Sequence, residues 1–272
     1  MRSIARRMFE LVEPIGAVPY STHEPNEAMF ALGFTNYWDT YFAGRAAPLG
    51  LTTAEVVDAL FYNFAPGEVG RHIPKVWRTT TPEAAIAARR LGCANALRRV
   101  LGDRVDSPAF ARAGDLLLKA ATSAPSDGRP MYAALRALPV PDDAVGRLFH
   151  AASLLREHRG DGHIVALRVE GVGGLEAHVL LALEMGMAAE KFGRIHHLPA
   201  AQLAALLDGM RRRNLLGDDG WLSASGRAVK QRVEALTDDL AARPYEFLEP
   251  HELDELMASL GPLAALILAA PD

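Results

Sequence analysis

Apolar residues recur along most of the chain at helical rather than strand spacing. Ile86, Leu91, Ala94, Leu97 and Leu101 keep to a period near 3.6. Thr81-Pro82-Glu83 predicts where that helix starts: a threonine cap, a proline at the first helical position, and an acid near the positive end of the dipole. Gly102-Asp103 predicts its stop. Thr52-Thr53-Ala54-Glu55 reads as a capping box ahead of an apolar run ending at Phe61, and Ser107-Pro108 starts a further helix to about Ala121. The stretch from Ser123 to Pro130, with its prolines, serines, Asp127 and Gly128, is the clearest loop.

A short helix from Met131 to Leu138 precedes Pro139-Val140-Pro141, which predicts a boundary between an N-terminal helical domain, residues 1–140, and a C-terminal one, residues 141–272. A helical pattern then runs from Asp142 to about His158 and resumes up to Val169, before Gly171-Val172-Gly173-Gly174 breaks it. Between these runs lies Arg156-Glu157-His158-Arg159-Gly160-Asp161-Gly162-His163, a dense polar cluster in an apolar setting. Either the helix breaks at Gly160-Asp161-Gly162, or it continues and sets Arg156, Arg159 and His163 on one face, with Glu157 and Asp161 four apart beside them. Helix-interior glycines are costly unless a backbone or ligand comes close. The cluster is therefore either a binding site or an internal ion-pair network.

The last third reads as helix, short helix, helix, hairpin, helix. Leu175 to Met185 is apolar and periodic, and Pro199 leads a helix to Asn214. Asp219-Gly220 is a hairpin turn signal flanked by Leu215-Leu216 and Trp221-Leu222, after which Ser223 to Gly226 starts a helix to about Arg243. The run Arg211-Arg212-Arg213-Asn214-Leu215-Leu216, the turn, and Leu222-Ser223-Ala224-Ser225-Gly226-Arg227 resemble the winged-helix half of the MarR-type regulators. The resemblance covers about a quarter of the chain. It implies a recognition helix leading into a β-wing, with Arg211, Arg212 and Arg213 against DNA. Ser223 stands where that family usually has threonine, and Asp218 and Asp219 make the wing acidic. A wider resemblance, carried by residues 41–50, 61–66 and 155–163, is to an actinomycete family of helix-turn-helix proteins. It supports the fold and implies no particular activity.

Composition narrows the function classes. The net charge is −4 and the pI about 6.1, which argues against a surface that coats nucleic acid. Cys93 is the single cysteine, so no internal disulfide can form and a buried thiol is expected. The basic N-terminus leads into glutamates rather than an apolar signal core, and Ser259, Gly261 and Pro262 interrupt the most apolar stretch. A cytoplasmic protein away from membranes is expected. No P-loop, dinucleotide fingerprint, nucleophile elbow or zinc-protease motif is present, and the cluster's spacing matches no zinc signature, so no metal site is assigned and no cofactor is named. His178 is expected in the core, and His196-His197 on the surface.

Aromatic residues crowd the N-terminal half, with Tyr41 and Arg45 four apart. Apolar walls with a few convergent polar groups are how small-molecule pockets are built. The candidate ligand-binding residues are Tyr41, Arg45, Phe64, His72, Arg156, His158, Arg159, Asp161 and His163. The expected protein is all-α with a small β-wing, its helical domain packed on a winged-helix module. It would be a homodimeric, ligand-responsive regulator that binds a small molecule between its halves, with DNA as a candidate partner. The alternative is an enzyme, or a cofactor- or metal-binding protein, that uses the 156–163 cluster. The leucine stripe through Leu256, Leu260, Leu263, Leu266 and Ile267 is expected to pack on a second subunit or on the N-terminal domain.

Overall fold

The computed structural model describes residues 1–191 and 198–270. Its α-helices are α1 (Arg2–Gly16), α2 (Val18–Ser21), α3 (Glu24–Phe30), α4 (Tyr37–Ala46), α5 (Ala54–Phe61), α6 (Pro82–Leu101), α7 (Pro108–Ser123), α8 (Pro130–Arg136), α9 (Ala144–Val169), α10 (Gly174–Glu184), α11 (Ala200–Arg212), α12 (Ala224–Leu240) and α13 (Pro250–Ala269). Local chemistry sets many of these boundaries. Thr81 Oγ1 accepts from the Ala84 amide, Ser107 Oγ from Phe110 and Ser223 Oγ from Gly226, each satisfying a donor that the first helical turn leaves unpaired.

Helix α9 is the axis of the molecule. It packs against α1, α6, α7, α8 and α12, and is buried along most of its length. Around its first half lies the largest core, where Met8, Leu97, Leu117, Leu148 and Leu154 meet Leu256 and Leu260 of α13. The α13 stripe is thus covered within the chain, by α1 and α7. A second, aromatic core holds Phe42, Phe61, Phe64 and Ile73. A third joins the end of α9 to α10, α11 and α12 through Leu167, Leu180, Met210 and Val233.

Helix α9 runs through Gly160-Asp161-Gly162 without a break. Gly162 has a packing reason: a Cβ there would sit 2.9 Å from an Arg129 nitrogen and 3.3 Å from Leu240 Cβ. Arg129 donates to the His158 carbonyl and, at 2.7 Å, to that of Leu240, so its guanidinium packs against this part of α9. Gly160 meets only the Glu157 carboxylate.

The β-wing is not formed, and the described residues are all-helical. The hairpin turn is there, with Gly220 at φ 81° and the Gly220 amide on the Gly217 carbonyl. Only one antiparallel bridge follows, Leu216 with Leu222, supported by Gly217 N–H to the Trp221 carbonyl and Ser223 N–H to the Leu215 carbonyl. The reason is length. Helix α11 and its terminal turn occupy the chain up to Asn214, and Ser223 already caps α12. About two residues a side remain, too few for a ladder, since strands ordinarily need three or more.

Cys93 is fully buried and its thiol is pushed up to about 12, chiefly by burial, so it is an inert core group. His178 is fully buried too. His196 and His197 lie outside the described residues. Among those described, no helix is long and apolar enough to cross a membrane, and no three His, Cys, Asp or Glu side chains gather so as to hold a metal ion.

Candidate functional site

The exposed side of the α9 cluster opens into a cleft of about 520 Å³, within the usual range for small-molecule pockets. Arg156, Glu157, Arg159, Gly160, Asp161 and His163 form its floor. Facing them is an aromatic wall: Phe9 from α1, Tyr20 from α2, Tyr41 from α4, and Phe61 with Tyr62 at the end of α5. Leu181 of α10 and Glu234 of α12 close the remaining side.

Of the residues expected from sequence, Tyr41, Arg45, Arg156, Arg159, Asp161 and His163 all line this cleft. The other three lie elsewhere. Phe64 packs in the aromatic core, with its ring centroid 4.9 Å from that of Phe42. His72 stacks on Phe42 and has Nδ1 2.7 Å from the Asp39 carboxylate. His158 is 1% exposed and packs edge-on against Tyr132. Burial, then the Arg129 charge, push its pKa down to about 3, so it stays neutral. Tyr20 and Tyr62 belong to the N-terminal aromatics expected to wall a pocket, whereas Phe9, Glu13 and Glu234 carried no signal in the sequence. All five come from α1, α2, the residue after α5, and α12, and meet α9 only in the fold.

Charge in the cleft is arranged as two pairing systems. At one end, Arg156 reaches Glu13 at 3.1 Å and Glu157 at 3.4 Å, while Arg45 lies 3.4 Å from Glu157 and donates to Tyr41 Oη at 3.0 Å. Burial alone would raise the Glu157 pKa, but Arg45, Arg156 and Arg89 together hold it below the ordinary carboxylate range. At the other end, Arg159 bridges Asp238 at 2.7 Å and Glu234 at 3.0 Å, and Arg6 of α1 reaches the same two acids at 2.9 and 2.7 Å. Cations also lie over rings, Arg45 over Phe61 at 4.2 Å and Arg159 over Phe9 at 4.3 Å.

Asp161, in the cleft floor, is a structural acid. Its carboxylate accepts from the Tyr132 amide at 3.0 Å, capping α8 from another helix. Burial pushes its pKa up to about 6, against the backbone N–H and with Glu157 adding to the rise. His163 has Nδ1 3.0 Å from Thr237 Oγ1, and burial outweighs Glu234 to lower its pKa.

Tyr62 holds this wall to the next helix at a conformational cost. Its φ of 65° and ψ of −48°, with the Asn63 amide on the Phe61 carbonyl, form a γ-turn of the rare positive-φ kind. The Tyr62 hydroxyl donates to the Val172 carbonyl in the α9–α10 link. Its carbonyl fits against Gly174, where a Cβ would lie 1.9 Å from that oxygen. Gly174→Ala is therefore expected to cost about 1–3 kcal/mol by overpacking and to loosen α10. Faster hydrogen exchange across 174–184, with the α6–α7 core unchanged, would be the signature; an unaltered exchange profile would remove Tyr62 as a clamp.

Helices α10, α11 and α12 enclose the third core beside the cleft and present α11 outward. A family model, the helix-turn-helix family, matches residues 5–271. The chain belongs to the helix-turn-helix family. No curated protein and no solved structure matches it. In this helix-turn-helix protein the outer face of α11 is small and neutral over its first two turns, with Ala200, Ala201, Gln202, Ala204 and Ala205 exposed, and basic at its end. Arg211 pairs with Asp208 at 2.7 Å. Arg213 is drawn back onto α10 and the preceding link, where it pairs with Glu176 and donates to the Gly171 carbonyl. Arg212 is exposed and has no ion pair among the described residues.

Proposed function

We propose that this chain is a ligand-responsive transcription regulator, MarR-like in layout though without a sheet. In it α11 meets DNA, and the α9 cleft takes a small anionic or amphipathic molecule. The carrying observation is Glu234. It lines the cleft and, with Asp238, receives the arginines of α1 and α9 that tie α12 to the body. A ligand that competes for Arg159 changes how firmly α12, and with it the α10–α12 unit, is held. That is the differential contact a ligand needs in order to shift a conformational equilibrium.

Arg212 and Arg211 are the phosphate-contacting side chains in this reading, and Gln202 is the polar group on α11 able to reach a base edge. One short helix reads only a few base pairs, so the working unit is a homodimer on two half-sites one helical turn apart. The test is fluorescence anisotropy with duplexes from the region upstream of the chain's own coding sequence, at about 50 and 200 mM salt. The expected result is binding that weakens steeply with salt. It should be abolished by Arg211→Ala with Arg212→Ala, and each lost phosphate contact should lower the salt slope by about 1. Absence of salt-sensitive binding to every duplex would overturn the regulator reading.

A further inference from the structure

A second, smaller chamber shares Arg45, Arg156 and Glu157 with the cleft and extends from them toward α6. Its volume is about 40 Å³, room for a few water-sized groups. Arg89 and Arg90 of α6 and His150 and Ser153 of α9 complete its polar lining.

The charges in this lining do not balance. Four guanidinium groups face two carboxylates, Glu157 in the chamber and Glu13 beyond it on Arg156. Arg89 donates to Tyr20 Oη at 2.9 Å, and Arg90 to the Pro139 carbonyl at 3.0 Å. Neither has a carboxylate at ion-pair distance among the described residues. Arg89 and Arg90 are half-buried, and Glu157, the carboxylate whose charge acts on Arg89, is already paired with Arg45 and Arg156, so this lining carries more positive than negative charge.

Two buried donors also lack acceptors. Arg45 Nε is buried with no partner. Arg90 donates to His150 Nδ1 at 3.2 Å, so Nδ1 is the acceptor and the ring proton sits on Nε2. That Nε2 is buried and unpartnered as well, in a residue 3% exposed. Burial, then Arg90, keep His150 neutral. The residues that line the chamber thus combine surplus positive charge with buried N–H donors that lack acceptors, the complement of a small group rich in oxygen acceptors and negative charge.

We propose that this chamber is an anion-binding site that takes a small oxyanion among Arg45, Arg89, Arg90 and Arg156, with His150 as a neutral donor. The oxyanion is either a free ion such as inorganic phosphate or the carboxylate head of an acid whose body lies in the adjoining cleft. The site stands independently of any DNA contact.

Titration calorimetry at low ionic strength, with inorganic phosphate, acetate and phenylacetate, tests it. Saturable heat is expected, and Arg89→Gln with Arg90→Gln should weaken binding about tenfold or more, as for lost charge-assisted hydrogen bonds. Arg104→Ala, at an exposed arginine outside the chamber lining, should leave it unchanged. Phosphate as the tightest probe identifies a free-ion site; phenylacetate tighter than acetate identifies a head-group site. The Arg45 Nε–H resonance, followed by NMR in the unaltered protein, needs no variant and should shift with the same saturation curve. No saturable heat with any of the three probes, or a still Arg45 resonance during binding, would overturn the assignment.

Discussion

Replacing Arg159 by methionine is expected to destabilise the protein by about 3 kcal/mol, the lower end of the cost of breaking a buried ion pair. The Arg159 side chain is 10% exposed and serves Asp238 and Glu234 at once. Without it, Arg6 is the arginine left hydrogen-bonded to the two carboxylates on α12, and Asp238 is itself buried. Arg6 shares the same acids, which is why the lower end applies. Methionine keeps much of the stem that packs near Phe9, so the loss reads charge rather than a cavity. Urea unfolding gives the number. A change below about 0.5 kcal/mol would mean that the network behaves like surface pairs, and the link from cleft to α12 would fall with it.

Acidification from pH 7.5 to 5 is expected to cost about 2–3 kcal/mol. Burial first, then Arg90 and Arg129 respectively, push His150 down to about 4 and His158 down to about 3. Below about pH 6.5 the unfolded chain protonates both while the folded chain protonates neither, so stability falls with pH. At pH 5 each histidine contributes a loss of about 2 kcal/mol. Asp161 has the opposite sign. Its pKa is pushed up to about 6, so the folded state takes that proton first and offsets about 1 kcal/mol of the loss. His163, lowered chiefly by burial, adds to the loss. Glu157 and Glu234 are held below the ordinary range, so their contribution fades only at lower pH. Melting temperatures at the two pH values check this. His150→Gln with His158→Gln should flatten the difference, and a wild-type melting point unchanged at pH 5 would contradict the burial of neutral histidines.

The features most legible in the sequence are those with a local cause. Thr81-Pro82, Ser107-Pro108 and Ser223 cap the helices that follow them because a cap needs only its own side chain and the next three amides. The leucine spacing of α13 likewise marks its buried face before any partner is known. The β-wing failed for a reason of the same scale: a turn signal is not a ladder, and the helices on either side left no residues for strands.

The polar cluster divides between the two levels. That Arg156, Arg159 and His163 would share a face follows from helical spacing, once the helix is known to continue. Whether it continues was decided elsewhere, by Arg129 and Leu240 filling the space that Gly162 leaves open. That the cleft has an aromatic far wall, that Glu234 joins its edge, and that Arg45, Arg89 and Arg90 gather around His150 depend on helices far apart in the chain. By itself the sequence determined the helices, their caps, the apolar faces and the segment rich in ionisable groups, because these rest on interactions a few residues long. Only the tertiary structure decided which charges pair, which histidines lose their proton and which donors are left without an acceptor, because burial and charge partners belong to the packed molecule.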